Sequence, residues 1–201
     1  MSGPSPATAR VAPARAAATA RAHLKTGTAL LEAGFASQAE RELRAAVELD
    51  PGCAGAWVNL GGILFSRWEF AAAVEANRKA AAADPKLAIA PFNEALGHLQ
   101  LGAPGDAAEC LGKAIDLEPR HGAAYHHLGV ALYALGRAAE ARLCAAYARE
   151  LGYRPSHVSA QALERAAAAA GAAGPSLEPE VRGAAPSTSS QGEGHGSAQS
   201  Q

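Results

Sequence analysis

Three short segments, ELDP at 48–51, AADP at 82–85 and DLEP at 116–119, recur along the chain and decide its fold. Their prolines are separated by 34 residues each time. Placing the prolines in register gives four units, which cover residues 20–53, 54–87, 88–121 and 122–155. A fixed period of this length is typical of repeat proteins in which each unit is one supersecondary element.

The aligned units share columns of small residues. Alanine fills one column at 39, 73, 107 and 141 and another at 46, 80, 114 and 148. A further column contains Gly27, Gly61, Ala95 and Gly129, where a minimal side chain lets two helices approach to about 8–9 Å. Large residues such as Trp57, Tyr125 and Leu60 occupy other columns and should pack into these gaps.

Each unit is predicted to be a helical hairpin. Two apolar-periodic segments of ordinary helix length meet near Gly34, Trp68, Gly102 or Gly136. Asp50-Pro51, Asp84-Pro85 and Glu118-Pro119 should end the second helix of their units, because proline lacks an N–H donor and disfavours helical angles in the preceding residue. In the third unit, Pro91 and Pro104 are acceptable if they lie in first helical turns.

Composition excludes several classes of partner and site. The 18 basic and 19 acidic residues nearly balance, so a phosphate- or lipid-binding surface is not expected, and neither is nucleic-acid binding. Three distant cysteines give no disulfide framework, and no stretch is apolar enough for membrane insertion. A cytoplasmic location is expected, although the basic start, with no acidic residue before Glu32, also resembles an organellar transit peptide.

The sequences WVNLGGIL at 57–64 and YHHLGVAL at 125–132, with the alanine columns, resemble the tetratricopeptide-repeat (TPR) motif. The resemblance implies an all-α, right-handed solenoid of helical hairpins that binds other proteins. We expect a disordered leader at 1–19, a capping helix at 156–171 and a disordered tail at 172–201.

In TPR arrays the first helices of successive hairpins line a concave groove, so the resemblance implies a peptide-binding surface there. The predicted groove residues are Lys25, Asn59, Asn93 and His127 in one row, with Val58, Phe92, Leu96, Phe65 and Tyr133 beside it. Asn59 and Asn93 are similar to the asparagine ladder of O-linked N-acetylglucosamine transferase, in which side-chain amides hold a peptide backbone. The carboxylate clamp of chaperone-binding TPR domains needs basic residues where this chain has Ile89 and Asn93, so binding of chaperone tails is disfavoured.

Other kinds of site have weaker support. His98, His126, His127 and Cys110 fit no standard zinc spacing, so no metal or cofactor is predicted. Glu94 and His98 are interpreted as an ion pair on one helix face rather than as an acid and a base, and no catalytic motif accompanies them, so an enzyme is not predicted. Two functions remain open: an adaptor that binds an extended segment of another protein, and a structural protein that forms homo-oligomers.

Overall fold

Four helical hairpins follow one another along the chain. The computed structural model describes residues 6–155, with side chains from residue 14 onward. The helices are α1 (Pro6–Glu32), α2 (Ala36–Leu49), α3 (Ala54–Ser66), α4 (Phe70–Ala83), α5 (Ile89–Gln100), α6 (Pro104–Leu117), α7 (Gly122–Ala134) and α8 (Ala138–Glu150). Residues 6–155 contain no strand, which confirms the predicted all-α repeat fold.

The hairpins stack so that one side of the array is concave. The second helices α2, α4 and α6 pack against the first helix of the next hairpin, and α1, α3, α5 and α7 contact one another in sequence. Within the described residues, no contact joins α2, α4, α6 or α8 to another of these second helices. The stack is therefore tighter on the side of the first helices, and that side is the inside of the curve.

The small-residue columns form the contact between the two helices of each hairpin. The eight column alanines, at 39, 73, 107, 141, 46, 80, 114 and 148, are at most 2% exposed. A Cβ on Gly27 would lie 2.8 Å from Leu43 Cγ, and one on Gly129 would lie 3.1 Å from the Ala141 carbonyl. Larger side chains at these positions would push the helices apart.

Proline and acidic residues end three of the second helices. Asp50 and Asp84 follow α2 and α4, and each uses Oδ1 to accept a hydrogen bond from the backbone N–H two residues on, at 2.9 and 3.0 Å. Pro91 and Pro104 lie in the first turns of α5 and α6, where a missing N–H costs no helical hydrogen bond.

Residues 6–19 differ from the sequence-based expectation. We expected a disordered leader at 1–19, but α1 starts at Pro6, so that expectation is wrong from Pro6 onward. Alanine and arginine, which are strong helix formers, make up most of residues 7–22 and favour this extension, and they offset Pro13, which removes one helical hydrogen bond. The capping helix predicted at 156–171 and the tail at 172–201 lie outside the described residues.

The turn inside each hairpin requires a left-handed backbone. Gly34, Gly102 and Gly136 have φ values of 82°, 70° and 76°, and Trp68 takes the equivalent position with φ 66°. The N–H of each of these residues bonds the carbonyl three residues earlier, and the next N–H bonds back five residues, as in the Schellman motif. Trp68 is therefore strained, and it is also 78% exposed.

Asn77 occupies a core position that leucine holds in two other hairpins. It is 1% exposed, whereas Leu43 and Leu111 fill the same column with no exposed surface. Its Nδ2 donates to the Ala73 carbonyl at 2.8 Å, but its Oδ1 has no hydrogen-bond partner within the described residues. A buried polar atom without a partner destabilises the fold.

Trp68→Gly should raise the free energy of unfolding by about 0.5–1 kcal/mol, because glycine adopts the left-handed conformation without strain. Gly102→Ala is the matched control. An added Cβ there meets no atom within 4 Å, so only backbone strain acts, and stability should fall by about 1 kcal/mol. Urea unfolding followed by circular dichroism measures both, and a destabilised Trp68→Gly variant would show that the edge-on contact of Trp68 with Phe70, 5.7 Å between ring centroids, outweighs the backbone strain.

Asn77→Leu should raise the free energy of unfolding by about 1–2 kcal/mol, because it removes an unpaired buried oxygen and adds apolar burial. Asn77 faces Gly61, and in the first hairpin Leu43 faces Gly27 in the same way. A leucine therefore already fits opposite a glycine in this chain. The reverse change, Leu111→Asn, should cost about 3 kcal/mol or more. Loss of stability in Asn77→Leu would mean that the amide has a stabilising partner, such as a buried water.

Candidate protein-binding groove

The inner face carries the predicted asparagines on adjacent helices. Asn59 on α3 is half-buried, and its Nδ2 donates to Thr28 Oγ1 on α1 at 3.0 Å. The Thr28 hydroxyl donates in turn to the Leu24 carbonyl at 2.9 Å. Asn59 is thus held in place, and its side-chain oxygen has no hydrogen-bond partner among the described residues. Lys25, in the same row on α1, is exposed.

Asn93 occupies the equivalent position on α5. It is half-buried, and within the described part of the chain its amide makes no hydrogen bond. Leu96, one turn further along, is also half-buried and packs on the edge of a core cluster built from α5, α6 and α7. The inner face of the third hairpin therefore offers a free amide next to an apolar surface.

Phe92 does not lie on the open groove surface, which corrects the sequence-based prediction. It is 9% exposed and belongs to the core cluster of the third hairpin. Its ring centroid lies 4.6 Å from that of His121 and 5.8 Å from that of His127. A bulky residue in this row reaches the following hairpin, so Phe92 joins the two hairpins. The contact of His121 with Phe92 was not predicted, because the position of His121 after Glu118-Pro119 suggests only a turn.

The remaining predicted groove residues differ in how accessible they are. Val58 and Phe65 on α3 are half-buried, and the Phe65 ring lies edge-on to Phe70 with centroids 5.2 Å apart. Tyr133 on α7 is 48% exposed, whereas the other apolar residues of the predicted set are half-buried or buried. The groove is thus apolar and half-buried on α3 and α5, and open near α7.

Histidines at the α7 end of the groove are held neutral. Burial, followed by the neighbouring imidazoles His126 and His121, lowers the pKa of His127 from 6.5 to about 4. Burial also lowers the pKa of His126, which is 3% exposed and packs against Tyr153 at 5.3 Å between ring centroids. His127 therefore presents an uncharged ring that can donate one hydrogen bond and accept another.

The thiols on the second helices are poor nucleophiles in this structure. Burial raises the pKa of Cys110 to about 11, helped by the nearby Glu94 carboxylate. Burial likewise raises the pKa of Cys144 to about 11, with Glu140 contributing. A thiol is reactive as its thiolate, which these environments disfavour.

Among the described residues, no helix is long and apolar enough to cross a membrane.

Comparison with solved structures places the fold among known repeat proteins. A crystal structure of MamA is 28% identical with a TM-score of 0.63, and the match covers 66% of this chain and 78% of that one. The first TPR of Spaghetti (RPAP3), bound to HSP90 peptide SRMEEVD, is 25% identical with a TM-score of 0.56 over 62% of this chain and 97% of that one. Pseudomonas aeruginosa pilF is 21% identical with a TM-score of 0.64, over 77% of this chain and 74% of that one, and shows the fold alone.

No curated protein sequence matches this chain. A family model does match, and its description is tetratricopeptide repeat. It aligns to residues 24–88 and again to 92–157, which together are more than half of the chain. The period, the small-residue columns and the stacked hairpins agree with this match, and the chain belongs to the tetratricopeptide-repeat family.

Proposed function

We propose that this protein is an adaptor that binds an extended segment of a partner protein in its concave groove. The TPR fold supports a role in protein–protein interaction in general. The observation that carries the finer proposal is the row of Asn59 and Asn93 on adjacent inner helices, next to half-buried apolar side chains. Amides and apolar pockets side by side suit the capture of an extended peptide.

The two amides can hold a peptide main chain without selecting its sequence. Each side-chain amide offers both donors and an acceptor to backbone groups. Among the described residues, the Asn93 amide makes no hydrogen bond, whereas Asn59 donates to Thr28 and its side-chain oxygen accepts none. Leu96 and Val58 supply apolar surface beside the row, and this surface would select the ligand's side chains.

The charge of the groove favours a neutral or apolar segment over an acidic tail. Asn93, His127 and Ile89 are uncharged, and Lys25 stands at the opposite end of the row. The related RPAP3 domain is bound to the acidic peptide SRMEEVD. Without a basic pair at the positions of Ile89 and Asn93, this groove lacks the electrostatic anchor that such a peptide needs.

Self-association is the second candidate, and the last described helix favours it. Leu143 and Tyr147 on α8 are 59% and 54% exposed. An apolar face at the end of a solenoid must be covered by a cap or by another molecule. The residues we expected to form the cap, 156–171, follow this helix in the chain. If they do not cover α8, two copies could join through this face.

A photo-reactive phenylalanine analogue at Tyr133 should form covalent adducts with a partner protein in the native cell, because Tyr133 is the exposed aromatic side chain of the predicted groove. The matched control places the same analogue at Leu143, which has similar exposure but lies on the outer helix α8. Mass spectrometry identifies the adducts. A partner protein joined at Leu143 and not at Tyr133 would refute the groove, and adducts of the chain with itself at Leu143 would favour self-association.

The double change Asn59→Ala/Asn93→Ala should weaken binding of the cross-linked partner segment by roughly tenfold, if two net hydrogen bonds contribute about 1.4 kcal/mol together. Isothermal titration calorimetry with a synthetic segment measures the affinity. Glu75→Gln on the outer helix α4, a change at an exposed site, is the control and should leave affinity unchanged. Wild-type affinity in a correctly folded double variant would exclude the amide row as the binding site.

Stability should fall as pH drops below 6.5, because the folded protein holds His127 neutral while the unfolded chain takes up a proton. The depressed folded pKa of about 4 means that the stabilisation is complete above 6.5 and is lost as pH falls towards 4. The loss due to His127 should be on the order of 2 kcal/mol at pH 5. His127→Gln should flatten the dependence of unfolding free energy on pH, and an unchanged slope would show that His127 is not desolvated.

A further inference from the structure

The third hairpin places ionisable side chains at positions that are apolar in its neighbours. Glu94 stands in the column of Leu60 and Leu128, and His98 stands in the column of Leu64 and Leu132. Glu94 is 9% exposed, and the His98 side chain is 13% exposed. Burial of such groups costs free energy unless partners compensate for the lost water.

A thiol on the facing helix completes a cluster of three potential ligand atoms. Glu94 and His98 are one helical turn apart on α5, and Cys110 lies opposite on α6 with 6% exposure. One carboxylate oxygen, one imidazole nitrogen and the Cys110 sulfur all lie within 4.8 Å of one another. Ligand atoms around a tetrahedral zinc ion are about 3.3–3.7 Å apart, given its bond lengths, so small side-chain rotations would close the site.

The orientation of the His98 ring matches that of a metal ligand. Its Nε2 faces the cluster, 3.8 Å from Glu94 Oε1, and its Nδ1 faces Asp106 Oδ2 at 4.0 Å. A metal-binding histidine commonly turns its second nitrogen towards a carboxylate, which fixes the ring and raises its basicity. The Asp106 carboxylate, at 4.0 Å, would reach hydrogen-bond distance after a small side-chain rotation.

An ion pair with Arg78 accounts for only part of the cluster. Arg78 Nε donates to Glu94 Oε1 at 3.3 Å, and Arg78 also bonds Glu75 on its own helix. This pairing uses Oε1, the same oxygen that lies 3.8 Å from His98 Nε2, and Oε2 accepts no hydrogen bond among the described residues. Carboxylates that bind metals are usually hydrogen-bonded to a second group. It gives no reason for a histidine and a cysteine to be buried beside the same carboxylate.

We propose that Glu94, His98 and Cys110 bind a divalent transition-metal ion, with Zn²⁺ as the preferred ion, between α5 and α6. Imidazole and thiolate select zinc over magnesium or calcium, and the carboxylate completes a mixed donor set that zinc accepts. Binding releases the thiol proton to solvent, so the two anionic ligands balance the charge of the ion. The fourth position is left to water.

One of the three ligands borders a cleft. A cleft of about 620 Å³ between α4, α5 and α6 is lined in part by Glu94. Lys113 and Arg78 also line this cleft, but each is paired with a carboxylate of its own helix, Glu109 at 2.7 Å and Glu75 respectively. A bound ion would link the two helices of the hairpin that carries Asn93, on the opposite side from the groove.

Full-length protein, stripped with a chelator and dialysed, should bind one Zn²⁺ per chain by calorimetry and should melt at a higher temperature with Zn²⁺ present. Co²⁺ should give a thiolate-to-metal absorption band. Cys110→Ala should abolish the band and the stoichiometric binding. Cys144→Ala is the matched control, because Cys144 occupies the same column of the fourth hairpin, and it should retain both.

A positioning residue gives a test that does not disturb the core. Asp106 is exposed, so Asp106→Asn should fold normally and weaken Zn²⁺ binding by about tenfold to a hundredfold. Circular dichroism confirms folding of each variant. The proposal fails if the stripped wild-type protein binds no Zn²⁺, or if Co²⁺ binding persists in Cys110→Ala and is lost in Cys144→Ala. Equal Zn²⁺ affinity of Asp106→Asn and wild type would show that Asp106 does not orient His98.

Discussion

The close approach of the two helices in each hairpin is the contact on which the rest of the structure depends. Column alanines that are at most 2% exposed, and glycines that a Cβ would clash with, set this distance. Because the hairpins are then nearly identical in shape, they stack at a regular angle, and the first helices come closer together than the second helices. The concave face is a consequence of this packing, and no particular residue on that face is needed to form it.

The same constraint explains why the fold was predictable and the site was not. The repeat period, the alanine columns and the residues that end the helices are either local features or recur at a fixed spacing. They can therefore be recognised in a single sequence. Leader residues from Pro6 onward were missed because helix propensity extended α1 past the repeat boundary. Phe92 was misplaced because its burial depends on His121, in the turn before α7, and on His127 of the next hairpin, and these contacts do not follow the repeat period.

The third hairpin combines a candidate groove surface with a polar cluster in its interior. Its inner face carries Asn93 and Leu96, and its interior carries Glu94, His98 and Cys110. A solenoid tolerates buried polar groups because each hairpin is stabilised by its neighbours. One less stable hairpin therefore does not unfold the array. Sequence spacing alone could not reveal the cluster, since Cys110 reaches it only through the pairing of α5 with α6.

The central claim, that the inner row of amides holds a partner's main chain, can be tested by observing those amides directly. The sequence contains three asparagines, so labelling of the asparagine side chains with ¹⁵N gives three pairs of NH2 signals in one NMR spectrum. Asn77 is 1% exposed on α4 and serves as an internal control. Titration with the partner segment should shift the signals of Asn59 and Asn93 and leave that of Asn77 unchanged. Binding that shifts neither Asn59 nor Asn93 would contradict the claim.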